Sequence, residues 1–142
     1  GALAVGATRD RVATMRRFGE AVGMAFQIQD DILDYTPTAH TGKPANNDLR
    51  EGKITLPLLS VLDRASDSRR RELLERLSRC HESDEEVEYL RSTVENEGGL
   101  SFAAEVMQGY IARAVEMLSD YPDSEYRSAL VNLCAYIADR DR

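Results

Sequence analysis

Apolar residues recur every three or four positions along most of this chain, which is the spacing of one face of an α-helix. The stretch after residue 105 is a clear example, with Val106, Tyr110, Ala114 and Leu118. No segment alternates apolar and polar residues for long enough to predict a strand, and no internal repeat is present. The sequence therefore predicts an all-α fold, a bundle of about six helices in a single domain of residues 1–142.

Capping and helix-breaking residues predict where the helices begin and end. Starts are expected at Thr8 or Asp10, at Thr55 with Pro57 in the first turn, at Asp67 or Ser68, and at a capping box of Ser83 and Glu86. Ends are expected at Thr36-Pro37, Gly98-Gly99 and Tyr121-Pro122. Residues 36–53 form a long polar loop, with one helical turn opened by a capping box of Asp48 and Glu51. The first seven residues are expected to be the tail of a helix.

The first long helix has a polar face near its C-terminal end. Counting about 100° per residue, Gln27, Asp30, Asp31 and Asp34 fall within an arc of about 100°. The opposite side is apolar, and we expect these residues to face the core: Met15, Phe18, Val22, Ala25, Phe26, Ile32 and Leu33. The carboxylates therefore look into a cleft or into water.

Two glycines, Gly19 and Gly23, lie one turn apart earlier on the same helix. The simpler interpretation is that they allow a neighbouring helix to approach closely. The alternative is that they leave room for the hydrocarbon tail of a ligand.

The three aspartates lie at the unfavourable end of their helix. The helix dipole is negative there, so each carboxylate is disfavoured by roughly 0.3–1 kcal/mol, and repulsion between neighbouring acids adds to this cost. A divalent cation would compensate, and Mg²⁺ is usually held by one or two carboxylates together with the phosphate oxygens of a substrate. The alternative is a solvated acidic face. The pattern favours a metal site.

Two lysines of the long loop, Lys43 and Lys53, flank the acidic helix end in the sequence. A loop lysine taken alone is most simply a solvated side chain. Two of them beside an acid cluster are suited to neutralising the oxygens of a phosphate group.

These segments together resemble a known family. The matching segments are Phe26-Gln27, the Asp-Asp-x-x-Asp of residues 30–34, Gly42-Lys43-Pro44, and residues 47–57. In order and spacing they are similar to the second aspartate-rich region of the trans-isoprenyl diphosphate synthases, and the Asp-Leu-Arg-Glu-Gly-Lys of residues 48–53 resembles the long-chain polyprenyl members. Weaker similarity at residues 1–3 and 126–142 extends the resemblance over most of the chain.

The resemblance implies an all-α isoprenoid synthase fold and a Mg²⁺-dependent prenyltransferase. In that reaction an allylic diphosphate ionises, the double bond of isopentenyl diphosphate attacks the resulting cation, and a proton is lost. Asp30 and Asp34 match Mg²⁺ ligands, with Asp31 in a supporting role. Lys43 and Lys53 match lysines that reach the allylic diphosphate, and Gln27 matches a glutamine that faces the allylic cation.

Part of the family pattern is not found in this chain. The first aspartate-rich region with its arginine pair, and the Lys-Thr pair that precedes Gly-Ala-Leu in the family, have no counterpart. We therefore expect residues 1–142 to be the C-terminal portion of a polyprenyl synthase, to hold half of a site, and to be inactive alone. Homodimers are usual in the family. One alternative is a non-catalytic helical partner subunit of a prenyl synthase, and another is a divalent-ion-binding helical protein unrelated to prenyl transfer.

The charge balance bears on the partners. The chain has 25 acidic and 18 basic residues, a formal net charge of −7 and a pI near 4.9. This balance argues against nucleic acid or an anionic membrane as partner, because both require a basic face. Two cysteines are too few for a disulfide framework, and no apolar run approaches the roughly 18 residues of a membrane span. We expect a cytoplasmic protein.

Overall fold

The helices follow the turn and capping signals of the sequence closely. The computed structural model describes residues 1–36 and 46–139. These ranges contain seven α-helices and no strand: α1 (Arg9–Asp34), α2 (Asn47–Arg50), α3 (Leu56–Arg64), α4 (Asp67–Arg79), α5 (Asp84–Asn96), α6 (Gly99–Met117) and α7 (Glu125–Asp139). The all-α prediction is confirmed, and the count exceeds six because the helical turn of the long loop is the short helix α2. Across the described ranges, no helix has the length and apolar character needed to cross a membrane.

The helix caps agree with the sequence in type more than in position. The Ser83 hydroxyl accepts a hydrogen bond from the Glu86 amide at 3.3 Å, as predicted. The cap of α4 is Ser66, whose hydroxyl accepts from the Arg69 amide at 3.4 Å, so the predicted cap was one or two residues too late. Thr55 is extended before α3, but its hydroxyl makes no capping hydrogen bond.

The first seven residues form turns and not a helix of their own. The Gly6 amide donates to the Leu3 carbonyl at 3.2 Å, and the Ala7 amide donates to the Ala2 carbonyl at 3.1 Å. Gly6 has a φ of 68°. This pair of hydrogen bonds around a left-handed glycine is the Schellman pattern with which helices end.

The segment Asp30–Glu105 is one compact unit. Its core consists of apolar side chains from α2 to α5 together with the last residue before the long loop: Tyr35, Leu49, Leu58, Val61, Leu62, Leu73, Leu77, Cys80, Val87, Leu90 and Val94. Ion pairs join α4 to α5, where the Arg76 guanidinium lies 2.8 Å from the Glu86 carboxylate and 3.8 Å from the centre of the Tyr89 ring. The apolar core and these pairs hold α5 firmly.

Gly99, the first residue of α6, marks a close approach within this unit. A Cβ placed there would lie 2.6 Å from the Pro57 carbonyl oxygen, 2.9 Å from Val94 Cγ1 and 3.1 Å from Val61 Cγ2. Only a residue without a side chain fits at that contact.

The segments Gly1–Gln29 and Val106–Arg142 form the other compact unit. Its buried side chains come from α1, α6 and α7 and from the residue that follows α6: Phe18, Ala21, Ala25, Ile28, Gln29, Met107, Ile111, Ala114, Leu118, Cys134 and Ile137. The prediction of a single domain stays a prediction.

Each unit contains one free, buried cysteine. Cys80 and Cys134 are both 0% exposed. Burial raises the pKa of both thiols, so both stay protonated at neutral pH.

Candidate functional site

The acidic face of α1 is turned away from the buried face of the same helix. Phe18, Ala25 and Ile28 are buried, whereas Gln27 is exposed and the three aspartates at residues 30, 31 and 34 are partly exposed. The polar residues of α1 therefore lie away from its buried face, as predicted.

Phe26 was predicted to face the core and is instead 42% exposed. At about 100° per residue, Phe26 lies about 80° around the helix from Phe18. Of the other buried positions, Ala21, Ala25 and Ile28 lie on the opposite side of Phe18, and Gln29 lies only about 20° from Phe18. The buried stripe is therefore centred away from Phe26, which lies between it and the acidic face.

The interpretation of Gly19 and Gly23 as a close helix contact is wrong for the described part of the chain. A Cβ at either position would meet nothing within 4 Å, and both residues are exposed. The two glycines therefore leave a shallow, side-chain-free strip on the exposed side of α1.

Asp34, the last residue of α1, caps α2. Its Oδ1 accepts from the Asn47 amide at 3.0 Å and its Oδ2 accepts from the Asp48 amide at 2.9 Å. Its backbone carbonyl accepts from the Asn46 amide at 2.7 Å. Asn46 itself has a left-handed φ of 63° and makes no side-chain cap. The predicted capping box of Asp48 and Glu51 is therefore wrong, because the acceptor for the first α2 amides comes from α1.

The surroundings of Asp34 act on its charge in both directions. Burial raises the pKa of the Asp34 carboxyl, and the amides of Asp48 and Asn47 partly offset this rise. The carboxylate lies at the negative end of α1 but also at the positive end of α2. The sequence suggested that a metal ion offsets the unfavourable negative charge at the end of α1. For Asp34, the amides of α2 supply part of this stabilisation.

Lys53 lies three residues after the end of α2. Its ammonium group is 2.6 Å from Glu51 Oε2 and 3.2 Å from Asp48 Oδ1, and its side chain is 56% exposed. The hydrogen bonds that its ammonium group donates to the carboxylates of Glu51 and Asp48 raise the pKa of Lys53, which keeps it cationic. Lys43, the other predicted lysine, lies outside the described residues.

Asp48 links the two predicted site residues, Asp34 and Lys53, and the sequence reasoning gave it no such role. Its amide donates to Asp34 while its carboxylate accepts from Lys53. The sequence signal for this link was the need of the first α2 amides for an acceptor, which the side chain of the N-cap residue Asn46 does not supply.

The predicted metal ligands are oxygen donors of the kind that Mg²⁺ binds. Within residues 1–36 and 46–139, no group of three or more histidine, cysteine, aspartate or glutamate side chains is arranged to hold a metal ion. Asp30, Asp31 and Asp34 are partly exposed oxygen donors near one end of α1, and their assignment as Mg²⁺ ligands stays a prediction.

Comparison with known proteins decides the family. The family model described as polyprenyl synthetase matches residues 1–94. The chain belongs to this family. The resemblance stated from the acidic region is therefore confirmed.

Curated relatives in the polyprenyl synthetase family include synthases that are named for long-chain products. The all-trans-nonaprenyl-diphosphate synthase (geranyl-diphosphate specific) of Rhodobacter capsulatus is 40% identical over 127 residues, which cover 89% of this chain and 38% of that protein. Heptaprenyl diphosphate synthase component 2 of Geobacillus stearothermophilus is 37% identical over 143 residues, covering 99% of this chain and 43% of that protein. The chain thus spans about two fifths of the length of these relatives.

Solved structures agree with the family. The geranylgeranyl pyrophosphate synthase of Bacteroides thetaiotaomicron has a TM-score of 0.86 and 32% identity, over 98% of this chain and 46% of that one. The geranylgeranyl pyrophosphate synthase of Corynebacterium glutamicum, complexed with calcium and isoprenyl diphosphate, has a TM-score of 0.82 and 33% identity, over 98% of this chain and 43% of that one.

Proposed function

We propose that this chain supplies the second metal and diphosphate half-site of a Mg²⁺-dependent polyprenyl diphosphate synthase. The observation that carries the proposal is the connection of the acidic end of α1, through Asp34 and Asp48, to the ammonium group of Lys53. Carboxylates that hold a cation and a lysine that faces phosphate oxygens are the two elements that diphosphate departure requires.

Each site residue has a role in this proposal. Asp30, Asp31 and Asp34 hold Mg²⁺, which when bound neutralises the charge that develops on the departing diphosphate. Lys43 and Lys53 donate hydrogen bonds to the oxygens of the allylic diphosphate. Gln27 presents a neutral amide dipole to the allylic cation, where a carboxylate would capture it. Isopentenyl diphosphate then attacks the cation through its double bond, and a proton is lost.

The remaining parts of the reaction belong to a longer chain or a partner. Because the chain spans about two fifths of its relatives, we propose that isopentenyl diphosphate and the other metal ligands bind elsewhere in the complete synthase, and that residues 1–142 are inactive alone. The complete enzyme would be a cytoplasmic homodimer, and no nucleic acid partner is proposed.

A second candidate function is a partner subunit of a prenyl synthase. The observation that favours it is that two similar proteins, from Geobacillus stearothermophilus and Bacillus subtilis, are both heptaprenyl diphosphate synthase component 2. A stable complex with a second chain that alters its prenyl transfer activity would support this candidate over the homodimer.

The test is a magnesium titration of prenyl transfer in the complete synthase. Asp30→Asn should raise the Mg²⁺ concentration for half-maximal rate by at least about tenfold, since even outer-shell groups around a metal are worth about 10- to 100-fold. Asp10→Asn is the matched control, because Asp10 lies exposed in the first turn of the same helix. An unchanged Mg²⁺ requirement in Asp30→Asn would contradict the assignment of Asp30 as a metal ligand. Product formation by residues 1–142 alone would contradict the proposal that they hold only half of the active site.

A further inference from the structure

Two carboxylates bind the ammonium group of Lys53. The Lys53 Nζ lies 2.6 Å from Glu51 Oε2 and 3.2 Å from Asp48 Oδ1. A lysine ammonium group has three N–H donors, so these contacts use two of the three. One positive charge faces two negative ones. The group formed by these three side chains therefore carries a net negative charge.

This net negative charge opposes the binding of a diphosphate at Lys53. A lysine attracts an anion as a compact point charge, and a carboxylate held beside the ammonium group cancels that attraction. Lys53 therefore attracts a diphosphate well only when one of its two carboxylates moves away.

The Asp48 carboxylate is the more firmly held of the two. The Asp48 amide donates to the Asp34 carboxylate at 2.9 Å, and the Asp48 carbonyl accepts from the Lys53 amide at 2.8 Å. The Asp48 side chain is only 19% exposed. Displacing the Asp48 carboxylate would therefore disturb the surroundings of α2 as well as Lys53.

The Glu51 carboxylate is held more loosely. Glu51 follows the last residue of α2, and its side chain is 59% exposed. Its contact with Lys53 joins two exposed side chains, and such pairs contribute little because water and salt screen them. The Glu51 carboxylate can turn into water with little loss of stability. It is therefore the carboxylate that an incoming anion displaces more easily.

We propose that Glu51 competes with the diphosphate for the ammonium group of Lys53 and so sets the affinity of the site for that group. This inference rests on the proposed function, in which Lys53 donates hydrogen bonds to the allylic diphosphate. When the diphosphate leaves, Glu51 takes its place on Lys53, which favours release of inorganic pyrophosphate. The aspartates of α1 keep their role as metal ligands.

The experiment measures inhibition by inorganic pyrophosphate, competitive with the allylic diphosphate, in the complete synthase at a fixed concentration of free Mg²⁺. Glu51→Gln should lower the inhibition constant by about two- to fivefold, the range that exposed ion pairs contribute. Added salt should reduce this difference between variant and parent, because salt screens the contact between Glu51 and Lys53. A purely structural role of Glu51 predicts the opposite sign, since a distorted site binds the anion more weakly.

Glu85→Gln is the matched control for net charge. Glu85 is exposed in the first turn of α5, whereas the carboxylates that bind Lys53 within residues 46–139 are those of Asp48 and Glu51. Glu85→Gln should change the inhibition constant by less than about 1.5-fold. A decrease as large as that of Glu51→Gln would show a general effect of net charge and would overturn the competition.

Lys53→Ala separates the inference from the function on which it rests. Adding Glu51→Gln to Lys53→Ala should leave the inhibition constant unchanged, because the ammonium group for which Glu51 competes is gone; a persisting effect would overturn the competition. If Lys53→Ala weakens pyrophosphate binding but Glu51→Gln in the parent does not strengthen it, the competition is overturned and the function stands. If Lys53→Ala binds pyrophosphate as tightly as the parent does, both are overturned.

Discussion

Replacing Gly99 with alanine should destabilise the protein, and the structure gives the magnitude. The new Cβ would lie 2.6 Å from the Pro57 carbonyl oxygen, where real Cβ contacts stay above 3.0 Å. Overpacking of this kind costs about 1–3 kcal/mol. The same carbonyl accepts the buried Ser60 hydroxyl at 2.8 Å, and weakening this hydrogen bond adds up to about 1 kcal/mol. The better helix propensity of alanine returns about 0.5–1 kcal/mol, so the net loss is about 2 kcal/mol.

Gly109, in the same helix, is the matched control. A Cβ there would meet nothing within 4 Å, and its φ is not among the positive ones. Gly109→Ala should therefore stabilise the protein by about 0.5–1 kcal/mol. Thermal unfolding followed by circular dichroism should show a Tm about 4–8 °C lower for Gly99→Ala, and a few degrees higher for Gly109→Ala, since 1 kcal/mol shifts the Tm by about 2–4 °C at this size.

The two variants together test the contact between α6 and the start of α3. A Gly99→Ala variant as stable as the parent would refute the close approach, because no other residue could absorb the clash without cost. Equal losses in both variants would mean that glycine is needed in α6 for a reason other than space.

Three further predictions concern single side chains. Tyr35 is 2% exposed and its buried hydroxyl lies beside the buried Thr55 hydroxyl, so Tyr35→Phe should lower the unfolding free energy in urea by about 0.5–1.5 kcal/mol; an unchanged unfolding free energy would show that the two hydroxyls do not stabilise the fold. Arg91 lowers the pKa of Glu88 from 4.5 to about 2, so the stability that this pair contributes is complete above about pH 4.5 and is lost as the pH falls towards 2. Glu88→Gln should therefore flatten the dependence of Tm on pH in that interval, and an unaltered profile would contradict the assignment. Glu86 binds two arginines of α4 with only 15% of its side chain exposed, so Glu86→Gln should cost about 1–2 kcal/mol in the same urea assay; the exposed neighbour Glu85, changed in the same way, should cost less than about 0.5 kcal/mol.

The helices could be predicted because their signals are local. Ser83 was identified as a cap from its own neighbourhood, and the structure confirms it. At α4 the sequence offers Ser66, Asp67 and Ser68 in a row, and all three residue types cap helices well. Which of the three residues becomes the N-cap depends on the backbone conformation between α3 and α4. The Thr55 hydroxyl, which was expected to cap α3, makes no capping hydrogen bond and is instead buried beside the Tyr35 hydroxyl, a contact that the local sequence does not show.

The candidate site was predictable only as far as it lies on one helix. Periodicity alone placed the aspartates of α1 opposite its buried face. The exposure of Phe26 depends on which helices pack against α1. The Asp34 carboxylate accepts hydrogen bonds from the amides of Asn47 and Asp48, which lie 13 and 14 positions later in the sequence. Pairings across a loop of this length leave no trace in a helical pattern. The role of Asp48 could therefore be seen only in the structure.

The reactivity of the two buried cysteines can be used to measure local unfolding of the protein. Cys80 belongs to the unit Asp30–Glu105 and Cys134 to the unit formed by the two ends of the chain. A thiol reagent can reach either one only when its surroundings open, so the rate of modification at each site reads the free energy of opening there. Identifying the modified peptide tells which unit opened first. Equal rates would mean equal free energies of opening at the two cysteines, and a difference of 1.4 kcal/mol between them would appear as about a tenfold ratio of rates.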